Sequence, residues 1–166
     1  SRPDLLREAW KLGITKEFLP EFDLAMETTQ ETVHHMYTVG EHILHTLLEV
    51  RADRILRLTM LLHDIGKPYM KTMDADGVAH FKGHPEKSSE LANEILHRLK
   101  FDNDTIRKVT KLVRYHDHRM PVTPAHVRRA IHEIGEDLFP LYLEVRRADV
   151  SAQSMYQREE KVADID

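Results

Sequence analysis

The stretch Leu61-Leu62-His63-Asp64-Ile65-Gly66-Lys67-Pro68 sets an imidazole beside a carboxylate at the end of an apolar segment. On a helix, adjacent side chains point about 100° apart, close enough for both to reach one metal ion. A lone His-Asp pair carries little information. With 12 His and 13 Asp in 166 residues, about one such pair is expected by chance. The question is therefore whether other ligands converge on it.

Candidates lie at the ends or on the inner faces of other predicted helices. His42 falls on the segment before the dyad, and His84 stands just before a helix opening at Pro85. His116 closes a helix that starts near Thr105, and Asp149 sits in the run Leu143-Glu144-Val145-Arg146-Arg147-Ala148-Asp149-Val150. Buried His and Asp need partners, and a metal ion would satisfy all of them. Ligation by His and Asp without Cys suits Mn, Fe, Co, Ni, Mg or Zn. Such an ion acidifies bound water and polarises an electrophile such as a phosphoryl group. Lys67, just past the dyad, is placed to neutralise a phosphate oxygen. Arg146 and Gln153 share a helical face with Asp149 and are candidate substrate contacts. His35 is a candidate contact from the segment before His42. Asp117 could orient His116, whereas His45, His80, His97, His126, His132 and His118 are expected to be structural or solvated.

These residues need a scaffold, and the patterning supplies helices. Helices are expected over Pro3–Leu12, Lys16–Leu19 (stopped by Pro20), Val39–Val50 and from an Asp53 cap to Ile65. At that last end Gly66 would exit in a left-handed conformation and Pro68 would prevent resumption. Further helices are expected over Pro85–Leu99, over Thr105–Tyr115 with Asn103 or Asp104 as cap, and from Thr123-Pro124 to Ile134. A long helix should start near Asp137 and pass Asp149 towards Arg158. Asp76-Gly77 between short β-prone runs predicts one small hairpin near residues 69–82. The expectation is an all-α orthogonal bundle forming a single domain over 1–166, with 1–27 as a helical lead-in.

Composition is that of an ordinary globule, with 41% hydrophobic and 31% charged residues. A net charge of −4 argues against a broad basic surface for nucleic acid, though a local basic pocket is compatible with it. The chain has no Cys, which excludes disulfides and thiolate metal sites and fits a reducing, cytoplasmic compartment. No apolar run approaches the length of a membrane span. The chain starts at Ser1 and stops soon after a helix-like run, so both ends read as those of a domain excised from a longer protein.

The wider pattern, His42 … His63-Asp64 … Asp149, resembles the HD superfamily of metal-dependent phosphohydrolases. Tyr37-Thr38-Val39-Gly40-Glu41-His42, His63-Asp64-Ile65-Gly66-Lys67-Pro68 and His80-Phe81-Lys82-Gly83-His84-Pro85 look like the HD region of bacterial CCA-adding tRNA nucleotidyltransferases. So do Val127-Arg128-Arg129-Ala130-Ile131, Ile134-Gly135-Glu136-Asp137-Leu138 and Arg147-Ala148-Asp149-Val150-Ser151-Ala152-Gln153. The resemblance covers about residues 28 to 155. It implies His42, His63, Asp64 and Asp149 as ligands of one ion. It implies His84 and His116 as ligands of a second ion or as phosphate contacts. Nothing matches the nucleotidyltransferase head of those enzymes, so nucleotide addition by this chain alone is not expected. The implied activity is hydrolysis of a nucleotide or RNA-terminal phosphoester, including 2′,3′-cyclic phosphates, with Asp64, Lys67, His84 and His116 in the catalytic machinery. Two other readings compete. One is hydrolysis of dinucleoside polyphosphates or nucleoside triphosphates, which an Arg- or Lys-lined pocket would favour. The other is a structural, tRNA-positioning domain with tRNA bound only together with the rest of a longer chain.

Overall fold

The computed structural model describes residues 2–31, 37–119 and 121–153. Its elements are almost all helical: α1 (Pro3–Lys11), α2 (Thr15–Phe18), α3 (Pro20–Glu27), α4 (Val39–Leu48), α5 (Arg54–Leu62), α6 (Lys67–Met70), α7 (His84–Arg98), α8 (Asn103–Tyr115), α9 (Pro124–Ile134) and α10 (Phe139–Ser151). Between α6 and α7 lie β1 (Thr72–Met73) and β2 (Ala79–His80). They pair antiparallel with Thr72 opposite His80 and Met73 opposite Ala79. Gly77 has φ +76 in the turn, as the Asp-Gly signal requires. This is the all-α bundle with one hairpin that the patterning predicts.

Caps set most helix starts. Thr38 accepts from Glu41 N at 3.1 Å, Asp53 from Leu56 N at 2.9 Å and Thr123 from His126 N at 3.3 Å. Four expectations need correction. Asp102, rather than Asn103 or Asp104, caps α8, accepting from Thr105 N at 3.0 Å. Pro20 opens α3 instead of merely stopping α2, because a first-turn N–H has no intrahelical partner to lose. Pro68 likewise lies in the first turn of α6 rather than forbidding further helix. Gly66 is right-handed, with φ −84. Its need for glycine is steric: a Cβ there would stand 2.6 Å from Ser88 N. The α5–α6 turn therefore presses directly on α7, and Gly66 N donates to Ser88 Oγ at 2.9 Å. The last helix ends at Ser151 with Ala152 as its cap, short of the expected run to Arg158, and residues from 154 on lie outside the described ones.

The main core joins Phe22 of α3, Ile43 of α4, Met60 of α5, Ile95 of α7, Val109 of α8 and Val145 of α10, all almost completely buried. Truncating any one of the larger of these side chains to Ala should cost about 2–5 kcal/mol. A smaller cluster seats α9 through Ala130 and Ile134 against Leu112, Leu138 and Tyr142. Helix α5 contacts α4, α8 and α10, and α10 also contacts α4 and α8, so residues on their inner faces are brought together.

Candidate metal centre

Helix ends deliver most of the candidate ligands. His63 is the C-terminal cap of α5, and its Nδ1 lies 2.6 Å from the Met60 carbonyl oxygen. His116 caps α8 in the same way, with Nδ1 2.6 Å from Val113 O. Each ring folds back onto a backbone carbonyl in the last turn of its own helix. His84 opens α7 behind Gly83, whose φ of +82 favours glycine, and its Nδ1 lies 3.0 Å from Phe81 O. His42 comes from the middle of α4 and Asp149 from α10, on faces turned into the core.

The free ends of these side chains meet. His42 Nε2 lies 2.8 Å and His63 Nε2 3.1 Å from Asp149 Oδ1. The same two nitrogens stand 3.4 and 3.2 Å from Asp64 Oδ2. The other oxygen of Asp64, Oδ1, faces His84 Nε2 at 3.2 Å and His116 Nε2 at 3.3 Å. Two groups result, His42-His63-Asp64-Asp149 and Asp64-His84-His116, each with ligand atoms within 4.8 Å of one another. Asp64 belongs to both. All six residues are buried.

The chemistry of this donor set fits a cation. His63, His84 and His116 each turn Nδ1 to a backbone carbonyl, so Nδ1 carries the proton and donates. In the neutral ring Nε2 is then a bare lone pair, and here it faces a carboxylate oxygen. Lone pairs opposed at about 3 Å in a low-dielectric interior repel unless a proton or a metal ion lies between them. At His63 of the metal-free protein a proton fills that place. Burial alone would depress the His63 imidazolium, but Asp64 and Asp149 outweigh it and push its pKa up to about 10. Burial likewise opposes ionisation of Asp64, yet His63, Lys67 and His116 hold it well below the usual carboxylate range. For Asp149, hydrogen bonds from His42 and His63 overcome burial in the same direction. A divalent ion would replace protons with a fixed charge. The first group could offer two imidazoles and two carboxylates to one ion, and Asp64 with His84 and His116 could offer donors to another.

Lys67 is buried beside this cluster. Its Nζ donates to Gln30 Oε1 at 2.9 Å, lies 3.4 Å from Asp64 Oδ2 and stands 5.1 Å over the Phe81 ring. Asp64, Lys67, His84, His116 and Asp149 form part of the wall of one cleft of about 350 Å³. Gln153 reaches the same cleft, as do Lys82 and Arg119 near its surface. Arg146 does not. It turns to the back of the site, where Nη1 donates to His116 O at 3.0 Å and lies 4.0 Å from Asp117 Oδ1. His35 lies outside the described residues.

The other histidines sort differently. His45 stacks on Tyr37 with ring centroids 3.9 Å apart. His80 is exposed and lines the cleft, with Nε2 2.7 Å from Asp74 Oδ2, a partner that sequence reading did not supply. His97, His118 and His132 are exposed, and His126 Nδ1 lies 2.6 Å from the Thr123 hydroxyl. Sequence reasoning missed Gln30, Phe81 and Arg119 as neighbours of the site. Phe81 and Lys82 lay inside the stretch His80–Pro85 without a role assigned to either, and nothing local marked Gln30 or Arg119.

The HD domain family model matches residues 32–165. The chain is 37% identical over 145 residues to the A-adding tRNA nucleotidyltransferase of Deinococcus radiodurans, which covers 82% of this chain and 33% of that protein. It is 32% identical over 160 residues to the CC-adding tRNA nucleotidyltransferase of Thermus thermophilus, covering 93% of this chain and 36% of the relative. A bifunctional uridylyltransferase/uridylyl-removing enzyme of Ruegeria pomeroyi is 27% identical over 137 residues, 67% of this chain and 13% of that protein. The chain thus spans about a third of the length of its two nucleotidyltransferase relatives. Among the described residues no helix is long and apolar enough to cross a membrane. The family model covers most of the chain, and the His63-Asp64 dyad meets His42 and Asp149 at the centre of the helical bundle: the chain belongs to the HD domain family.

Proposed function

We propose that this domain is a divalent-metal-dependent phosphohydrolase acting on a nucleotide or RNA-terminal phosphoester, with 2′,3′-cyclic phosphates among its substrates. The observation that carries the reading is the sharing of Asp64 between two groups of buried imidazoles at the wall of an open cleft, with a lysine ammonium beside it. His42, His63, Asp64 and Asp149 would hold the ion. His84 and His116 would either complete a second site with Asp64 or contact the phosphate. A bound divalent ion of the Mn, Fe, Co, Ni or Mg type supplies Lewis acidity and acidifies water near neutral pH. The chain's own residues do the rest. Lys67 offsets charge on the transferred phosphoryl group, His84 and His116 face the same oxygens from helix ends, and Gln153 offers an amide to the substrate.

A second reading keeps the site and lengthens the substrate to a dinucleoside polyphosphate or nucleoside triphosphate. Its support is the pair Lys82 and Arg119, two exposed cations from separate segments lining the cleft. A purely structural role leaves the burial of four imidazoles against two carboxylates unaccounted for. The relatives named for tRNA make it a proposed partner only of a longer chain like theirs, and the proposed setting is the cytoplasm. The test is a panel of 2′,3′-cyclic nucleotides, phosphomonoesters, diadenosine polyphosphates and triphosphates, each with Mn, Ni or Mg and with chelator. Hydrolysis of the cyclic nucleotides that chelator abolishes is expected. Preference for polyphosphates would select the second reading, and inactivity on the whole panel with metal bound would reject both.

A further inference from the structure

Lys67 has an unusual environment for a cation. It is only 5% exposed, and burying an ammonium costs several kcal/mol unless its donors are met. Its nearest carboxylate oxygen is Asp64 Oδ2, but that oxygen also faces His42 and His63 and would be taken up by an ion held there. Among the described residues, the other groups close to Nζ are neutral: the amide oxygen of Gln30 at 2.9 Å and the face of Phe81. Both hold an ammonium without cancelling its charge.

Gln30 is itself fixed at both ends. It is 8% exposed, and its Nε2 donates to Tyr37 O at 3.0 Å. Tyr37 immediately precedes Thr38, the cap of the helix that carries His42. The amide therefore cannot turn its NH₂ to Lys67 without losing the bond to Tyr37 and opposing donor to donor. Its backbone is also anchored, because the neighbouring Glu31 O accepts from Ala79 N of β2 at 3.1 Å. The Gln30 side chain thus ties Lys67 to the segment that leads into α4.

We infer that Gln30 is a positioning residue, whose amide oxygen aims the Lys67 ammonium at the phosphate in the cleft while leaving its positive charge intact. This rests on the phosphoester reading above. An amide is the suited group: Ala would leave the ammonium unanchored, and Glu would pair with it and add a negative charge near the incoming anion. The role is invisible in linear sequence, since 37 residues separate the two partners.

The experiment measures three quantities for wild type, Gln30→Ala, Gln30→Glu, Lys67→Ala and the double variant Gln30→Ala/Lys67→Ala. They are metal content, calorimetric affinity of the metal-loaded protein for inorganic phosphate, and KM and kcat for 2′,3′-cyclic AMP. Metal content should be unchanged by Gln30→Ala and Gln30→Glu. Phosphate affinity should fall about 3–10-fold in Gln30→Ala and further in Gln30→Glu, as expected for loss of one hydrogen bond to a charged group and then for charge quenching. In the Lys67→Ala background Gln30→Ala should add nothing, because its effect passes through the ammonium. Additive losses, or a Gln30→Glu protein that binds phosphate as tightly as Gln30→Ala, would overturn the inference. A metal-loaded wild type that neither hydrolyses the cyclic nucleotide nor binds phosphate would overturn the phosphoester reading as well, whereas an active wild type with additive variants would overturn only the role of Gln30.

Discussion

The two sides of Asp64 are built from the same residue types but held by different parts of the molecule. On one side His42, His63 and Asp149 project from α4, α5 and α10 into the main core, with both imidazoles fully buried. On the other side His84 and His116 sit at a helix start and a helix end, and both line the open cleft. The inner set is rigid because the core around Ile43, Met60 and Val145 cannot move without creating a cavity. The outer set depends on local devices: the left-handed Gly83, the Phe81 and Val113 carbonyls, and Arg146 bracing the His116 carbonyl. A rigid inner set suits retention of an ion, and helix-end imidazoles at the cleft wall, with Asp149 beside them, suit contact with a substrate that comes and goes.

The variant with the largest expected effect removes what the two sides share. Asp64→Ala should lower hydrolysis by about 100-fold or more, since it takes one oxygen from each group. Circular dichroism should show the helices intact. Separate variants should then split the sides. Asp149→Asn should reduce tight metal binding, measured by equilibrium dialysis, whereas His116→Ala should spare the inner ion and instead lower the metal stoichiometry or weaken phosphate binding. If both variants lose metal and phosphate to the same degree, the two sides act as one and the contrast fails.

Protonation sharpens the same contrast. In the metal-free protein His63 is raised from 6.5 to about 10. Its proton therefore contributes stability that is fully present below about pH 6.5 and is lost as pH rises through about 10. Thermal melts of metal-free protein should fall across that window, and the metal-loaded protein should be less sensitive because the ion replaces the proton. Metal addition near pH 7 should release protons, readable in a weakly buffered solution. Lys67→Ala comes next in size, with a loss of roughly 1–3 kcal/mol in transition-state stabilisation and metal content retained. The smallest effect should come from the exposed cations. Lys82→Ala combined with Arg119→Ala should raise KM only a few-fold, and less at high salt. A larger loss confined to polyphosphates would favour the longer-substrate reading.

Much of the frame was legible from the chain itself because it depends on local rules. Asp53 and Thr123 cap helices where Ser/Thr/Asp signals predict, and Asp76-Gly77 turns the hairpin. The apolar run before His63 marks a buried helix end, which is why the dyad stood out. Where reading failed, the deciding interaction was tertiary. Gly66 looks like a left-handed exit, but its missing Cβ serves a contact with Ser88 on another helix. Pro20 and Pro68 look like stops, yet each sits in the first turn of a following helix, where its missing N–H costs nothing. Arg146 shares a helical face with Asp149, yet it is drawn to the carbonyl that α8 leaves free at His116. Gln30 carried no signal, since a polar residue in a polar stretch shows its burial only once the hairpin and Lys67 close over it.

The central claim is that one carboxylate, Asp64, joins two ligand groups into a working metal centre. Its most direct test is a titration of chelator-treated wild type and Asp64→Ala with Mn, following bound metal and hydrolysis of 2′,3′-cyclic AMP in the same samples. The account predicts that wild type takes up one or two equivalents with activity rising in step, and that Asp64→Ala binds weakly and stays inactive. An Asp64→Ala protein that binds Mn and hydrolyses as fast as wild type at equal metal content would contradict it.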